Sequence, residues 1–298
     1  RDGAGIILWK DKNHDGVYED SLLFGSYIGT GIAIKDHYLY ASSNNALFRY
    51  KLDENFTPVS PTNPERIVIG LVYKGQHASK SITLDNKGYI YVNIGAPSNI
   101  CQVEDRKAGS PGRMPCPILD SAGGIWKFDA TKENQTYGDG KRYATGLRNV
   151  IGLDWNQQTN KLYVAQHGRD QLNTLFPSLY TDAQNAELPA ETFYEINEGD
   201  NAGWPYVYYD NFQHKKIVSP EIDGTIDEAS QMAAAKAGVD RDNAAIDEYN
   251  EKRDKKLTEE QMNIQFNKGF TSLDQVTGNE TAINELRVFA KYLIDREE

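Results

Sequence analysis

The chain has 298 residues, 39% hydrophobic and 25% charged, the composition of a soluble globular protein with room for one large or two ordinary domains. A formal net charge of −11 argues against a nucleic-acid binder, which needs a basic surface, and disfavours an anionic membrane surface. No apolar run approaches the roughly 18–20 residues that span a bilayer, so no membrane insertion is expected.

The first predicted element, "GIILWKDKN" (5–13), is an aromatic-basic strand, and "DKNHDGVYED" follows it. Asp11, Asn13, Asp15 and Gly16 begin like a calcium loop, but Leu22 stands where the bidentate Glu should be, so a polar hairpin tip is expected. From there a three-part pattern recurs. A small-apolar strand ("GTGIAIKD", "SKSITLDN", "NVIGLDWN") leads through a turn to a Tyr-rich strand. That second strand is "HYLYAS" (37–42), "GYIYVNIG" (88–95) or "KLYVAQHG" (161–168). After a variable loop comes an aromatic-basic strand: "ALFRYKLD" (46–53), "GGIWKFDA" (123–130) or "TFYEINEG" (192–199). Repeats of short antiparallel strands at this spacing predict a mainly β fold, a β-propeller with one blade per repeat. Three copies and part of a fourth are present, so the propeller is partial, with about three to four blades. Its long loops, 96–122 and 169–191, belong at the ligand-binding face.

Cys101 and Cys116 sit in the first long loop, "SNICQVEDRKAGSPGRMPCP". In an exported protein they would close a disulfide; in a cytosolic one they would be free thiols. We expect the disulfide, because a long irregular loop gains from a staple. After Pro220 the strand pattern stops. Capping boxes at Thr225, Thr258 and Thr277, and a stripe of Ile283, Leu286, Phe289, Ala290 and Leu293, predict helices near 227–237, 241–256, 258–266 and 279–295. The expected division is a propeller domain over 1–222 and an unrelated α-helical C-terminal tail over 223–298.

Two loops carry polar pairs at equivalent points of the repeat. Gln76 and His77 stand in "GQHASKSITLDNKGYIY", Arg148 and Asn149 in "GLRNVIGLDWNQQTNKLY". Equivalent propeller loops converge on the central axis, so a titratable base and a guanidinium fork are expected to meet there. These stretches, with "NIGAPSNIC", "LYVAQHGRD" and "GDNAGWP", resemble the soluble quinoprotein sugar dehydrogenases, and most closely their sorbosone dehydrogenase-like branch. The resemblance covers about residues 3–221. That family consists of six-bladed propellers that bind pyrroloquinoline quinone (PQQ) and calcium, and includes glucose and pyranose dehydrogenase-like members. The resemblance implies an oxidoreductase that passes hydride from a sugar or aldehyde to the quinone and then on to an electron acceptor. It implies His77 as the base, Gln76, Arg148, Asn149 and His167 as cofactor contacts, and the carbonyls of Gly168 and Arg169 as calcium ligands.

Three departures are visible. Ala96 stands where glucose dehydrogenases carry the acidic residue that supports the base, and it cannot orient an imidazole, so some other group must do so or catalysis is weaker. The cationic contacts of the later blades have no counterpart after residue 221. The start of the first blade is missing, and the resulting open strand edge is a route to oligomerisation. A non-catalytic propeller module, serving as a binding scaffold, is therefore the alternative reading. The family also implies a periplasmic or secreted protein, and a chain beginning at Arg1 without a signal-like segment would then be a mature product or an excised fragment.

Overall fold

The computed structural model describes residues 5–189 and 191–222. The four helices expected beyond residue 226 lie outside the described residues.

The recurring pattern folds as three antiparallel sheets. The first contains β3 (Ile32–Lys35), β4 (Tyr38–Ser42), β5 (Ala46–Lys51) and β6 (Glu65–Ile69), in that order. The second contains β7 (Ile82–Leu84), β8 (Tyr89–Ile94), β9 (Gly124–Asp129) and β11 (Lys141–Thr145). The third contains β12 (Asn149–Asn156), β13 (Lys161–His167) and β14 (Thr192–Ile196). Each begins with the small-apolar strand and continues through the Tyr-rich and aromatic-basic strands, in the order that the sequence predicts. The repeat pattern does not predict the two outer strands, β6 and β11. The short β10 (Gln135–Thr136) leaves the second sheet's chain and joins β6 in parallel. Two further hairpins stand apart: β1 (Ile6–Lys10) with β2 (Asp20–Phe24), and β15 (Val207–Asp210) with β16 (Lys215–Val218). The architecture is a partial β-propeller.

Burial on both faces of the middle sheet explains why it stacks between its neighbours. Ile90, Val92 and Ile94 of β8 join Leu47, Ile67 and Val68 of the first sheet in one core. Tyr91, on the opposite face of the same strand, joins Val150, Trp155, Leu162 and Val164 of the third sheet in another. The period-2 alternation of β8 thus feeds two cores at once. The leading strands β3, β7 and β12 lie side by side. The Ser81 hydroxyl, just before β7, donates to the carbonyls of Val150 (2.9 Å) and Ile151 (3.0 Å) in β12.

The loop over 96–122 is closed by a Cys101–Cys116 disulfide, with Cα atoms 6.1 Å apart. The loop over 169–191 holds two short helices, α1 (Leu172–Leu175) and α2 (Asp182–Glu187). Leu172, Leu175, Phe176 and Tyr180 pack on Ile100 and Tyr208 in a satellite core. The two long loops are therefore built against each other, beside the leading ends of β7 and β12.

Candidate functional site

His77 lies five residues before β7, with a left-handed backbone (φ 50°) that turns its ring inward. Its Nδ1 is 2.5 Å from the backbone carbonyl of Ala96. A carbonyl only accepts, so Nδ1 carries the proton and Nε2 presents its lone pair. This corrects the expectation that position 96 cannot orient the imidazole: the side chain of Ala96 cannot, but its main chain does. The Ala96 amide in turn donates to the Arg148 carbonyl at 2.8 Å, which ties the base to the neighbouring polar pair. Burial, and then the positive charge of Arg148, lower the His77 pKa below the ordinary value of 6.5. The ring is neutral at pH 7, as a proton acceptor must be.

Gly95 shows how close the groups are. A Cβ there would lie 2.7 Å from the Cβ of His77 and 2.8 Å from Oδ1 of Asn149. His77 and Asn149 therefore flank one point, and only a glycine leaves it open. The Asn149 Oδ1 accepts from Asn93 at 3.0 Å, which fixes the direction of its amide. Asn149 opens β12, and His167, which is exposed, stands directly across from it at the end of β13. The structure thus brings His77, Arg148, Asn149 and His167 together.

Arg148 is buried and held by Asn99. Its Nε donates to the Asn99 carbonyl (3.1 Å) and its Nη2 to Asn99 Oδ1 (2.9 Å), while Nη2 also meets Asp170 at 3.3 Å. Burial pushes this guanidinium down to about 10, the Asp170 charge opposing the shift. Asp170 pairs in addition with Arg106, at 2.7 and 3.3 Å. Burial works against its ionisation, but the Arg106 fork and the Arg148 charge hold it below the usual carboxylate range. Gln76 points into the same network: its amide donates to Asp105 (2.5 Å) and its carbonyl accepts from Arg106 Nε (3.1 Å). Asn99, Arg106 and Asp170 were not singled out from the sequence, although Asn99 and Asp170 lie inside the stretches "GAPSNIC" and "QHGRD".

Gly168 and Arg169 continue from His167 and are buried. The Arg169 amide donates to Pro189 at 2.7 Å. Its guanidinium turns away from the site, into an ion pair with Glu221 and over the ring of Tyr208. Neither residue's carbonyl accepts a hydrogen bond among the described residues.

At the β1–β2 tip the carboxylates of Asp11, Asp15 and Glu19 come within 4.8 Å of one another. Asp11 accepts from the amides of Asp15 (3.2 Å) and Gly16 (2.8 Å), the bonding of a tight polar hairpin tip.

The TrAA12-like family model matches residues 2–253, most of the chain. The chain belongs to the TrAA12-like family. Among solved structures, this TrAA12-like chain is similar to the calcium structure of a family AA12 carbohydrate-active enzyme from Trichoderma reesei. That match has a TM-score of 0.59 and 16% identity, over 76% of this chain and 60% of the other. It is also similar to the holo form of the pyranose dehydrogenase PQQ domain from Coprinopsis cinerea, with a TM-score of 0.53 and 18% identity, over 70% of this chain and 51% of the other. The TrAA12-like chain therefore spans little more than half the length of these structures, and the likeness is one of fold. No curated protein matches it.

Proposed function

We propose that this chain is part of a PQQ- and calcium-dependent dehydrogenase that oxidises a sugar or an aldehyde, with His77 as the base. The observation that carries the reading is the bond from His77 Nδ1 to Ala96 O, which leaves Nε2 without a hydrogen bond among the described residues, on a residue that flanks Gly95 together with Asn149. Sugar oxidation needs a group that removes a hydroxyl proton as hydride departs, and an imidazole whose charged form is disfavoured offers its lone pair for that.

The residues present fit an anionic quinone and a hard cation. Arg148 Nη1 and Asn149 Nδ2 make no hydrogen bond among the described residues, so both donors remain for a ligand. The paired carbonyls of Gly168 and Arg169 are oxygen ligands of the kind that calcium takes. The quinone, when bound, supplies the hydride acceptor. Arg148 and Asn149 would bind and orient it, with Gln76 and His167 at its margin. His77 would hold the substrate hydroxyl and take its proton at Nε2. The Cys101–Cys116 disulfide suits an exported protein, periplasmic or secreted. Substrate choice within the sorbosone or aldose type, and the electron acceptor, belong to the same proposal.

One observation favours a second reading, a non-catalytic propeller module. Gln76, Arg106, Asp170 and one edge of Arg148 already satisfy one another, as they would in a finished structural network. A titration of the chain with PQQ, with and without calcium, separates the two. Calcium-dependent binding that raises the melting temperature, with dye reduction by aldoses that falls by about 10²–10⁴ in His77→Asn, is expected. No binding at any calcium concentration, or full turnover in the variant, would sink the first reading.

A further inference from the structure

Arg106 lies on the disulfide-closed loop, some thirty residues from His77 in the chain, and nothing in the repeat pattern points to it. Its guanidinium nevertheless spans the site. Nε donates to Gln76 at 3.1 Å, next to the base, and Nη1 donates to Gln171 at 2.8 Å and Asp170 at 2.7 Å, beyond β13. It thus ties the loop that carries His77 to the turn that follows His167.

The loop is built to hold it there. The Arg106 amide donates to Gln102 Oε1 at 2.9 Å, and Gln102 Nε2 donates to the carbonyls of Lys107 and Ser110, each at 2.9 Å. Asp105 accepts from the Ser98 hydroxyl and from Gln76, each at 2.5 Å. The Cys101 amide donates to Ser98 Oγ at 2.9 Å, so the disulfide anchors the same turn. Arg106 itself takes a left-handed backbone (φ 56°), which a non-glycine residue keeps only where its surroundings impose it.

We propose that Arg106 is a positioning residue, which sets both the place of the His77 loop and the charge that the imidazole experiences. The charged groups acting on His77 are Arg148 just before β12, Arg106 on the disulfide loop and Asp170 after β13; Asp105 bonds the neighbouring Gln76, and Lys80 follows on the same loop. Arg106 and Arg148 both act against a positive imidazole, and Asp170 acts for it. Without Arg106, one opposing charge goes and Asp170 loses its bidentate partner. Both changes favour protonated His77.

This proposal rests on reading His77 as the base, but its test needs neither quinone nor substrate. The His77 ring proton is followed by NMR against pH in the ligand-free chain, assigned by its loss in His77→Asn. Arg106→Gln should move the midpoint upward by about 0.2–0.7 pH unit, the range for a partly exposed charge. Arg106→Lys, which keeps the charge without the fork, should return most of that shift. An unchanged midpoint in Arg106→Gln, with only the melting temperature lowered, would make Arg106 a structural brace and overturn the proposal. The second measurement needs no substitution. Opening the disulfide of the wild-type chain by reduction should move the same midpoint upward, and no movement with the thiols shown free would refute the loop's part. A shifted midpoint in a chain that never binds PQQ would remove the dehydrogenase reading and leave this one standing.

Discussion

Glu221→Gln removes one charge from the most enclosed ion pair among the described residues. Arg169 and Glu221 have side chains 3% and 0% exposed. Arg169 Nη1 also meets the Tyr180 hydroxyl at 3.1 Å, that hydroxyl donates to the second Glu221 oxygen at 2.5 Å, and the guanidinium lies 3.6 Å from the centre of the Tyr208 ring. Glutamine keeps the shape and an acceptor, so the loss is the countercharge itself. A buried guanidinium left without its anion costs about 3–5 kcal/mol. At about 2–4 °C per kcal/mol for a domain of this size, the melting temperature should fall by about 6–20 °C. Urea unfolding gives the free energy directly. Arg169→Met added to Glu221→Gln removes the orphaned charge, and most of the stability should return. A single variant within about 1 kcal/mol of the parent would refute the argument, since it would mean that water reaches the pair.

Gly95→Ala places a methyl 2.7 Å from the His77 Cβ; it should cost about 1–3 kcal/mol in urea unfolding and move the His77 ring signals. Lys80 is buried, its ammonium donates only to Ala78 O at 2.8 Å among the described residues, and burial pushes its pKa down to about 8 from 10.5. The folded state therefore disfavours its charge: the penalty is complete below pH 8 and disappears as pH rises from 8 to 10.5. Lys80→Met should stabilise the chain at pH 7 by about 3 kcal/mol, with no gain at pH 10.5. The lowered pKa of His77 has the same pH sense in a lower window: stability should decline as pH falls below 6.5, and His77→Asn should flatten that decline. Cys101→Ser with Cys116→Ser opens a loop of sequence separation 15, worth about 3 kcal/mol.

The strand order of all three sheets was legible because each triplet couples a period-2 pattern to its own turn signal. The outer strands β6 and β11 were not. "ERIVI" and "KRYAT" are each buried in only part of their length, and the second runs straight into the "GLRN" stretch. His167 enters only through the family resemblance; His77, Arg148 and Asn149 could be placed by their position in the repeat, since equivalent loops converge. Asn99, Arg106 and Asp170 could not. Arg106 meets Asp170 across 64 residues of chain, and that meeting depends on how two irregular loops fold on each other. No periodicity encodes it. Nor could side-chain identity reveal the role of Ala96, because the atom that orients the imidazole is one that every residue has.

The parallel pairing of β10 with β6 has a consequence for how the chain comes apart. Gln135 donates to the carbonyls of Ile67 (3.2 Å), Asp129 (2.8 Å) and Lys132 (2.8 Å), so residues of the first and second sheets share one side chain's bonds. The first blade owes its outermost hydrogen bonds to the chain that has just left the second. These two blades should open in native-state hydrogen exchange as one cooperative unit, with amides of β5 and β9 sharing an opening free energy. A cut or graft at the apparent seam between them would divide a single foldon.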